Sequence, residues 1–475
     1  MVWRRLCGHR EPGHPRALTL DMETIVVKQI LTAAALLITS AVCPLSAQIV
    51  PAADRDGQRA DTDVAKAYIG ADGMTARQLV ERALTANAGL LARRQRTTEA
   101  RGLWQQAGLR PNPTVETSGA SGSILGSPGE QELDVGLSQT IELGGKRDRR
   151  LDAGQAGVDL ATREVAAHER DLAIDIETRY VEALIAVRNL ESSARLVALT
   201  EQSYRLAAER VAQGEAARLE QGLLRAELAR LRADRLLFEN QVQRDLMELK
   251  TLAGLDVESP LRLRGERAPA SVTTPLDQLT ADALASRPDL AAARQEERVA
   301  EADVRLAQAE GTPDVTAFVR YTRTASQFEQ LGLGPGGVFV PIRDRDNILS
   351  IGASVAIPFS NRNQGNVQAA GARVAAARLR RQYLEETVRR EVRAAYLRYQ
   401  AAREAHEALE RDGVNQATEN LNVLRASYEL GETRLLDLLS EQRRAIETER
   451  AYNETSREYF LARVELERVS GTGVR

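Results

Sequence analysis

Cysteine, histidine and a Gly-Gly-Lys-Arg tetrapeptide are the features of this sequence that could do chemistry, and none is spaced for a reaction. Cys7 and Cys43 both lie in the first fifty residues. Once that segment is cut away, no thiol is left to act as nucleophile, disulfide partner or soft metal ligand. Of the histidines, only His168 and His406 lie beyond it. Each falls on a charged helical face with no second ligand at helical spacing, so no metal centre is expected. Gly144-Gly145-Lys146-Arg147 has glycines and a lysine in the order of a phosphate loop. It lacks the upstream glycine and the following Ser or Thr that such a loop needs, and reads as a strand-to-helix turn. With no nucleophile–base set and no cofactor motif, neither an enzyme nor a cofactor is expected.

The elements that carry these residues are long helices. Ala, Leu, Arg and Glu dominate, aromatic residues make up 4% and charged residues 28%, a composition that favours extended helix over a thick enzyme core. The net charge of −3 gives no basic surface for nucleic acid. Lys28 precedes an apolar run, Ile30–Val42, and Leu45-Ser46-Ala47 offers a small residue before a cut ahead of Gln48. Residues 1–47 therefore read as an export signal, with Met22 the better start, because the stretch before it fits no signal peptide. The run is shorter than the roughly 20 residues that span a bilayer; an uncleaved anchor is the alternative. Ser40-Ala41-Val42-Cys43 resembles a lipoprotein cleavage box, with Val42 a poor fit before the cysteine. No later segment has the length and apolarity of a membrane helix. An exported chain of this kind is periplasmic, secreted, or an outer-membrane β-barrel.

The chain is written twice. Ala83-Leu84, Leu90, Ala92 and Arg94-Gln95 recur as Ala283-Leu284, Leu290, Ala292 and Arg294-Gln295, and Pro113 and Val115 recur as Pro313 and Val315 at the same offset. The offset then grows: Leu133, Val135-Gly136 and Ile141 match Leu349, Ile351-Gly352 and Ile357, and Tyr180 matches Tyr396. Gly214-Glu215 matches Gly431-Glu432 one residue later still. The organisation is a linker (48–73), repeat one (74–256), a linker (257–275), repeat two (276–468) and a tail (469–475). An insertion between Tyr321 and Ile348 carries Leu331-Gly-Leu-Gly-Pro-Gly-Gly and reads as a loop.

Each repeat predicts one helix (about 75–109 and 276–310), a proline break, two strands and a long helical region. Leu133, Val135, Leu137, Ile141 and Leu143 share one face of an extended segment whose other face holds Glu132, Asp134, Ser138 and Glu142. Leu349, Ile351, Val355, Ile357 and Phe359 alternate likewise. The partner strands are about 114–120 and 313–322, near the ~9–11 residues needed to cross a bilayer. Leu224, Leu231 and Phe238, with Leu228, Val242 and Leu249, form a narrow coiled-coil seam. Gly214 and Gly431 are placed as left-handed caps, so each long region is expected to fold into a helical hairpin turning there. Four strands cannot close a membrane barrel, for which eight is the usual minimum, and an open edge cannot face lipid. Chains must therefore combine, most simply in a ring.

On these features the chain resembles the TolC-type outer-membrane efflux channels over about residues 74–468. Gln139-Thr-Ile-Glu142-Leu143-Gly144-Gly145-Lys146-Arg147 and Gly108-Leu-Arg-Pro111-Asn-Pro113 look like its cobalt–zinc–cadmium branch. The resemblance implies a mainly α fold with a small β part, a duplicated protomer whose four strands contribute to a twelve-stranded trimeric barrel. It implies a homotrimer in the bacterial outer membrane with a large periplasmic tube, a periplasmic adaptor protein and an inner-membrane pump of the resistance–nodulation–division type. It implies loops around Ser121–Gln131 and Arg323–Asp346 on the outside. Passive conduction of heavy-metal cations is the first expectation, and drugs or other small organic molecules the second. A periplasmic coiled-coil adaptor or a structural filament is the competing class, though neither needs a duplicated strand–helix unit. By the resemblance, an acid six positions after each tip glycine lines a periplasmic gate: Asp437 and Glu220. A second acid nine positions on is replaced by Ser440, with Glu441 adjacent. Val211, Gly214, Glu215, Tyr428, Gly431 and Glu432 would shape the tip that docks the adaptor. Lys146 and Arg147 are expected to meet phosphates of outer-membrane lipid at its periplasmic face.

Overall fold

The computed structural model describes residues 64–122, 130–265 and 271–471. The signal segment with Met22 and both cysteines, residues 48–63 of the linker, residues 123–129 of the first outer loop and the end of the tail lie outside the described residues. A short helix α1 (Val64–Tyr68) and strand β1 (Ile69–Met74) lead into repeat one: α2 (Ala76–Ala86), α3 (Ala88–Ala107), β2 (Thr114–Ser121), β3 (Glu130–Ile141), α4 (Lys146–Ala212) and α5 (Arg218–Ala253). Repeat two follows the same order: α6 (Leu276–Ser286), α7 (Pro288–Glu310), β4 (Val315–Leu333), β5 (Phe339–Val355), α8 (Gln364–Ala408), α9 (Val414–Glu429) and α10 (Leu435–Ser470). Among the described residues no helix is long and apolar enough to cross a membrane.

The long helices behave as their sequence predicts. With 67 residues and no proline, α4 runs on the order of 100 Å at ~1.5 Å per residue. It packs along α5 through the narrow seam: Leu224, Leu228, Leu231, Val242 and Leu249 are buried and Phe238 is half-buried. The hairpin turns fall at Gly214 (φ +82°) and Gly431 (φ +80°). At each, the residue after the glycine donates its amide back to the helix, Glu215 to Arg210 O at 2.9 Å and Glu432 to Ser427 O at 2.9 Å. This cap needs a left-handed residue, which glycine adopts without a Cβ penalty. The extra residue between Tyr396 and Gly431 is also located. Leu409–Gly413 forms a single π turn between α8 and α9, and wider i→i+5 bonding is how a helix absorbs one inserted residue.

Three expectations are corrected. First, the single opening helix of each repeat is two helices. Asn87 (ψ 115°) breaks the first, its side chain accepting from the Leu90 amide at 2.9 Å and donating to Leu252 O at 2.9 Å. In the second, Pro288 forces Arg287 (ψ 126°) out of the helical region. Second, the glycine-rich insertion is no loop. β4 and β5 stay paired out to Leu333↔Phe339, interrupted only by a bulge between Gln327 and Leu331. Tight-turn glycines Gly336 (φ +91°) and Gly337 (φ +77°) lie at the hairpin tip, so the Gly-Pro-Gly-Gly run makes a turn while its flanks make strand. Third, His406 lies on a buried face. Its ring stacks between Tyr452 and Tyr459, with centroids 5.3 Å from each, and Nδ1 is 3.2 Å from Ser456 Oγ. Burial lowers its pKa from the usual imidazole value.

The two repeats build parallel cores. Leu79, Ala83 and Tyr180 pack with Leu263 in one; Leu279, Ala283, Tyr399 and Tyr459 form the other. Both cores hold the 257–275 linker by a tyrosine hydroxyl: Tyr180 donates to Arg264 O at 2.5 Å, and Tyr399 accepts from the Val272 amide at 2.8 Å.

Candidate functional site

The four strands form one antiparallel sheet in the order β2-β3-β4-β5, with β2 and β5 at the edges. The register sorts its faces by the period of two. One face stacks rungs of apolar residues: Val115–Leu137–Val319–Ile351, then Val135–Tyr321–Leu349, with Ile141–Val315–Val355 at the base. Val115, Leu137, Val319, Leu349 and Ile351 are exposed, Ile351 to 76%. So much apolar surface open to water in one patch requires a covering medium. The opposite face carries six carboxylates, Glu116, Glu130, Glu132, Asp134, Asp344 and Asp346, against one arginine, Arg320. Arg320 reaches Glu116 at 3.4 Å, and Asp134 accepts from Thr322 Oγ1 at 2.5 Å.

Below the sheet, the strand-to-helix turn locks the two repeats together. Gly144 (φ +70°) and Gly145 (φ +68°) are both left-handed, and a Cβ on Gly144 would sit 2.6 Å from Thr312 Oγ1. The turn brings Lys146 Nζ to 2.8 Å from Asp314 Oδ2, at the start of the other repeat's hairpin. Arg147 Nε donates to Gly108 O at 2.7 Å. Arg150 closes the turn on Glu142, with Nη2 2.9 Å from Oε2. Burial works against a charged Asp314, but the Lys146 ammonium and the Leu143 amide outweigh it and hold its carboxyl below the usual range. The hydrogen bonds from Arg150 do the same for Glu142. The expected lipid contact is corrected for Lys146. Lys146 is buried with its ammonium on Asp314, whereas Arg147 is half-buried and donates through Nε to Gly108 O.

At the far end the two hairpin tips lie side by side around Ala207, Leu224, Leu421, Tyr428, Leu435, Leu438 and Leu439. Arg210 joins them, donating to Tyr428 O at 3.2 Å with its guanidinium 5.6 Å from the ring centre. Tyr428 is itself buried, so it shapes the tip from within. Burial raises its phenol pKa, and the adjacent Glu220 charge adds to that. Glu215, Gly214, Gly431 and Glu432 are exposed and Val211 half-buried. The three acids expected at a gate differ. Asp437 is exposed in the first turn of α10; Glu220 is half-buried and accepts from Tyr428 Oη at 3.4 Å. Glu441 is buried and lies 3.4 Å from Arg444 on its own helix, so it does not stand in for the acid replaced by Ser440. Sequence reasoning missed Leu219 (71% exposed) and Leu436 (66%), which directly precede Glu220 and Asp437. The signal was present: each is an apolar residue five positions after a tip glycine, in a turn that should be polar. Among the described residues no group of three or more His, Cys, Asp or Glu could hold a metal ion.

The family model for outer membrane efflux proteins matches residues 79–255 and 279–472. The chain belongs to this family. The efflux protein is thus a transport channel and not an enzyme. It is 22% identical over 388 residues to the cobalt-zinc-cadmium resistance protein CzcC of Cupriavidus metallidurans, covering 81% of this chain and 87% of CzcC. Its fold is that of CusC (TM-score 0.69, 18% identity, 84% of this chain and 92% of CusC). The outer-membrane channel OprN is also similar (TM-score 0.67, 20% identity, 84% and 90%). The mainly helical, duplicated fold with a small antiparallel sheet agrees with the sequence reading.

Proposed function

We propose that three copies of this efflux protein close a twelve-stranded barrel in the outer membrane and conduct metal cations delivered by a periplasmic adaptor and an inner-membrane pump of the resistance–nodulation–division type. The observation that carries this is the open four-stranded sheet, apolar on one face and polar on the other. Its edges β2 and β5 cannot meet hydrocarbon unpaired. Joining β5 of one copy to β2 of the next removes every edge and turns the carboxylate face inward. Three copies would line the lumen with acids outnumbering arginines six to one, a lining that attracts cations and repels anions. The likeness to CzcC, a cobalt-zinc-cadmium resistance protein by name, points to the same substrate class. The metal is cargo, passed along a charged wall without a fixed ligand set.

Two experiments test this. Deleting the gene is expected to lower tolerance of zinc, cobalt or cadmium severalfold and to leave tolerance of uncharged drugs unchanged. Unaltered metal tolerance with increased drug sensitivity would transfer the assignment to organic substrates, and recovery of the protein as a water-soluble monomer would remove the channel altogether. At the tips, Asp437 is the exposed acid and so the gate residue we propose, with Glu220 held by Tyr428. Asp437→Ala is expected to raise single-channel conductance in planar bilayers by about twofold or more, since removing a ring of three carboxylates removes its charge-assisted contacts. Conductance equal to wild type would show that the tip is closed by other groups. Leu219 and Leu436, exposed beside these acids, fit the contact with the adaptor.

A further inference from the structure

The barrel reading assigns the apolar face of the sheet to lipid, and the role of the charged residues at the outer end of that face rests on it. Along this face the lower belt of apolar rungs ends at Val135–Tyr321–Leu349, and apolar pairs return only at the hairpin tip, as Leu331–Pro341 and Leu333–Phe339. After Tyr321 the next residue of β4 on the same face is Arg323, between Leu133 and Asn347. Beyond it come Arg345, beside Ala325, and Arg343, beside Gln327. All three arginines are exposed, and among the described residues no ion pair joins them to a carboxylate. Every carboxylate in the strand register lies on the other face, where the single arginine, Arg320, has Glu116 as its partner. The run Arg343-Asp344-Arg345-Asp346 converts the strand period into a separation of charge, arginines toward lipid and aspartates toward the lumen.

Height decides what meets these arginines. At ~3.3 Å per residue and a strand tilt of ~40°, Arg323 stands about 5 Å above Tyr321, and Arg345 and Arg343 about 10 and 15 Å above it. The headgroup layer of an ordinary bilayer is only about 5–7 Å thick on each side. Three cations stacked over a greater height match a headgroup that carries phosphates at several levels on a sugar framework. Guanidinium groups bind phosphate in a bidentate fork, and their long stems follow the apolar surface while the head reaches the charge.

We infer that Arg323, Arg343 and Arg345 form, on each protomer, a docking surface for the phosphate groups of an anionic outer-leaflet glycolipid. Its acyl chains lie against Leu137, Val319, Leu349 and Ile351 below. This places a lipid contact at the outer end of the sheet, at the opposite end from the strand-to-helix turn.

The test uses the purified full-length protein in detergent, with phosphorylated lipid A, enzymatically dephosphorylated lipid A and phosphatidylglycerol as probes, read by native mass spectrometry and by the thermal dissociation of the oligomer. Lipid A is expected to bind and stabilise the wild type. The triple variant R323S/R343S/R345S should bind it about tenfold more weakly, the triple Arg→Lys variant within a few-fold of wild type, and the lumen-face control R320S as wild type. Dephosphorylated lipid A and phosphatidylglycerol should each bind wild type about tenfold more weakly than lipid A. Equal lipid A binding by the serine variant, or no preference for the phosphorylated form, would overturn the inference. Equal binding of phosphatidylglycerol would overturn its glycolipid assignment. If the triple serine variant does not assemble, the single variants R323S, R343S and R345S decide: weaker lipid A binding by at least one is expected, and unchanged binding by all three would overturn the inference. A wild-type protein that forms no outer-membrane trimer fails the channel reading itself; one that assembles and conducts but is indifferent to lipid A fails only this inference.

Discussion

Val319→Arg is expected to abolish recovery of the protein as the outer-membrane trimer proposed above. Val319 sits in the middle of the apolar face, paired with Leu137 on one side and Ile351 on the other. An arginine on the lipid face near the bilayer midplane costs about 2–4 kcal/mol, so three symmetric copies cost roughly 6–12 kcal/mol in one barrel. That is comparable to the whole stability of an ordinary domain. The control is Thr324→Arg, which places the same charge on the opposite face between Glu132 and Asp346, where it is expected to be tolerated. Membrane fractionation and migration on a denaturing gel with and without heating read both variants. Normal assembly of Val319→Arg, or equal failure of both, would mean that this face does not meet lipid.

The second large effect is expected at the junction of sheet and helices. Replacing both Asp314 by Asn and Glu142 by Gln leaves buried Lys146 and half-buried Arg150 without their carboxylates. Breaking a buried ion pair from one side costs about 3–5 kcal/mol; allowing for the partial exposure of Asp314, about 2 kcal/mol is expected here. The pH dependence separates this from a packing defect. Both carboxyls titrate below their usual range in the folded protein. Their stabilisation is therefore complete above the ordinary carboxylate value of roughly 4 and is lost as pH falls through the lower folded values. Thermal dissociation of the wild type should thus fall toward that of the double variant on acidification below about pH 4. A gap between the two proteins that stays constant from neutral to strongly acid pH would exclude an electrostatic lock.

Features carried by local pattern were legible. Gly214 and Gly431 turn the hairpins because a left-handed cap excludes most other residues. The alternation of Leu133, Val135 and Leu137 marks β3, and the seam from Leu224 to Leu249 marks the α4–α5 contact. Two further features carry a weaker signal beneath a stronger one. Pro288 marks the break at Arg287 within an otherwise helical periodicity. The Arg-Asp-Arg-Asp alternation at 343–346 marks strand, but the glycines of Leu331–Gly337 beside it mark loop.

The sequence by itself determined that the chain is duplicated, that long helical hairpins alternate with strand pairs, and that no single copy closes its sheet. These follow from periodicity and from residues with special backbone geometry, which act over a few neighbours. Only the tertiary structure decided that Lys146 pairs with Asp314, that His406 is buried between Tyr452 and Tyr459, that Tyr428 holds Glu220, and that Glu441 is withdrawn from solvent. Each of those outcomes depends on which helix or turn packs alongside. A side chain's partner 50 or more residues away leaves no periodic trace in its own segment.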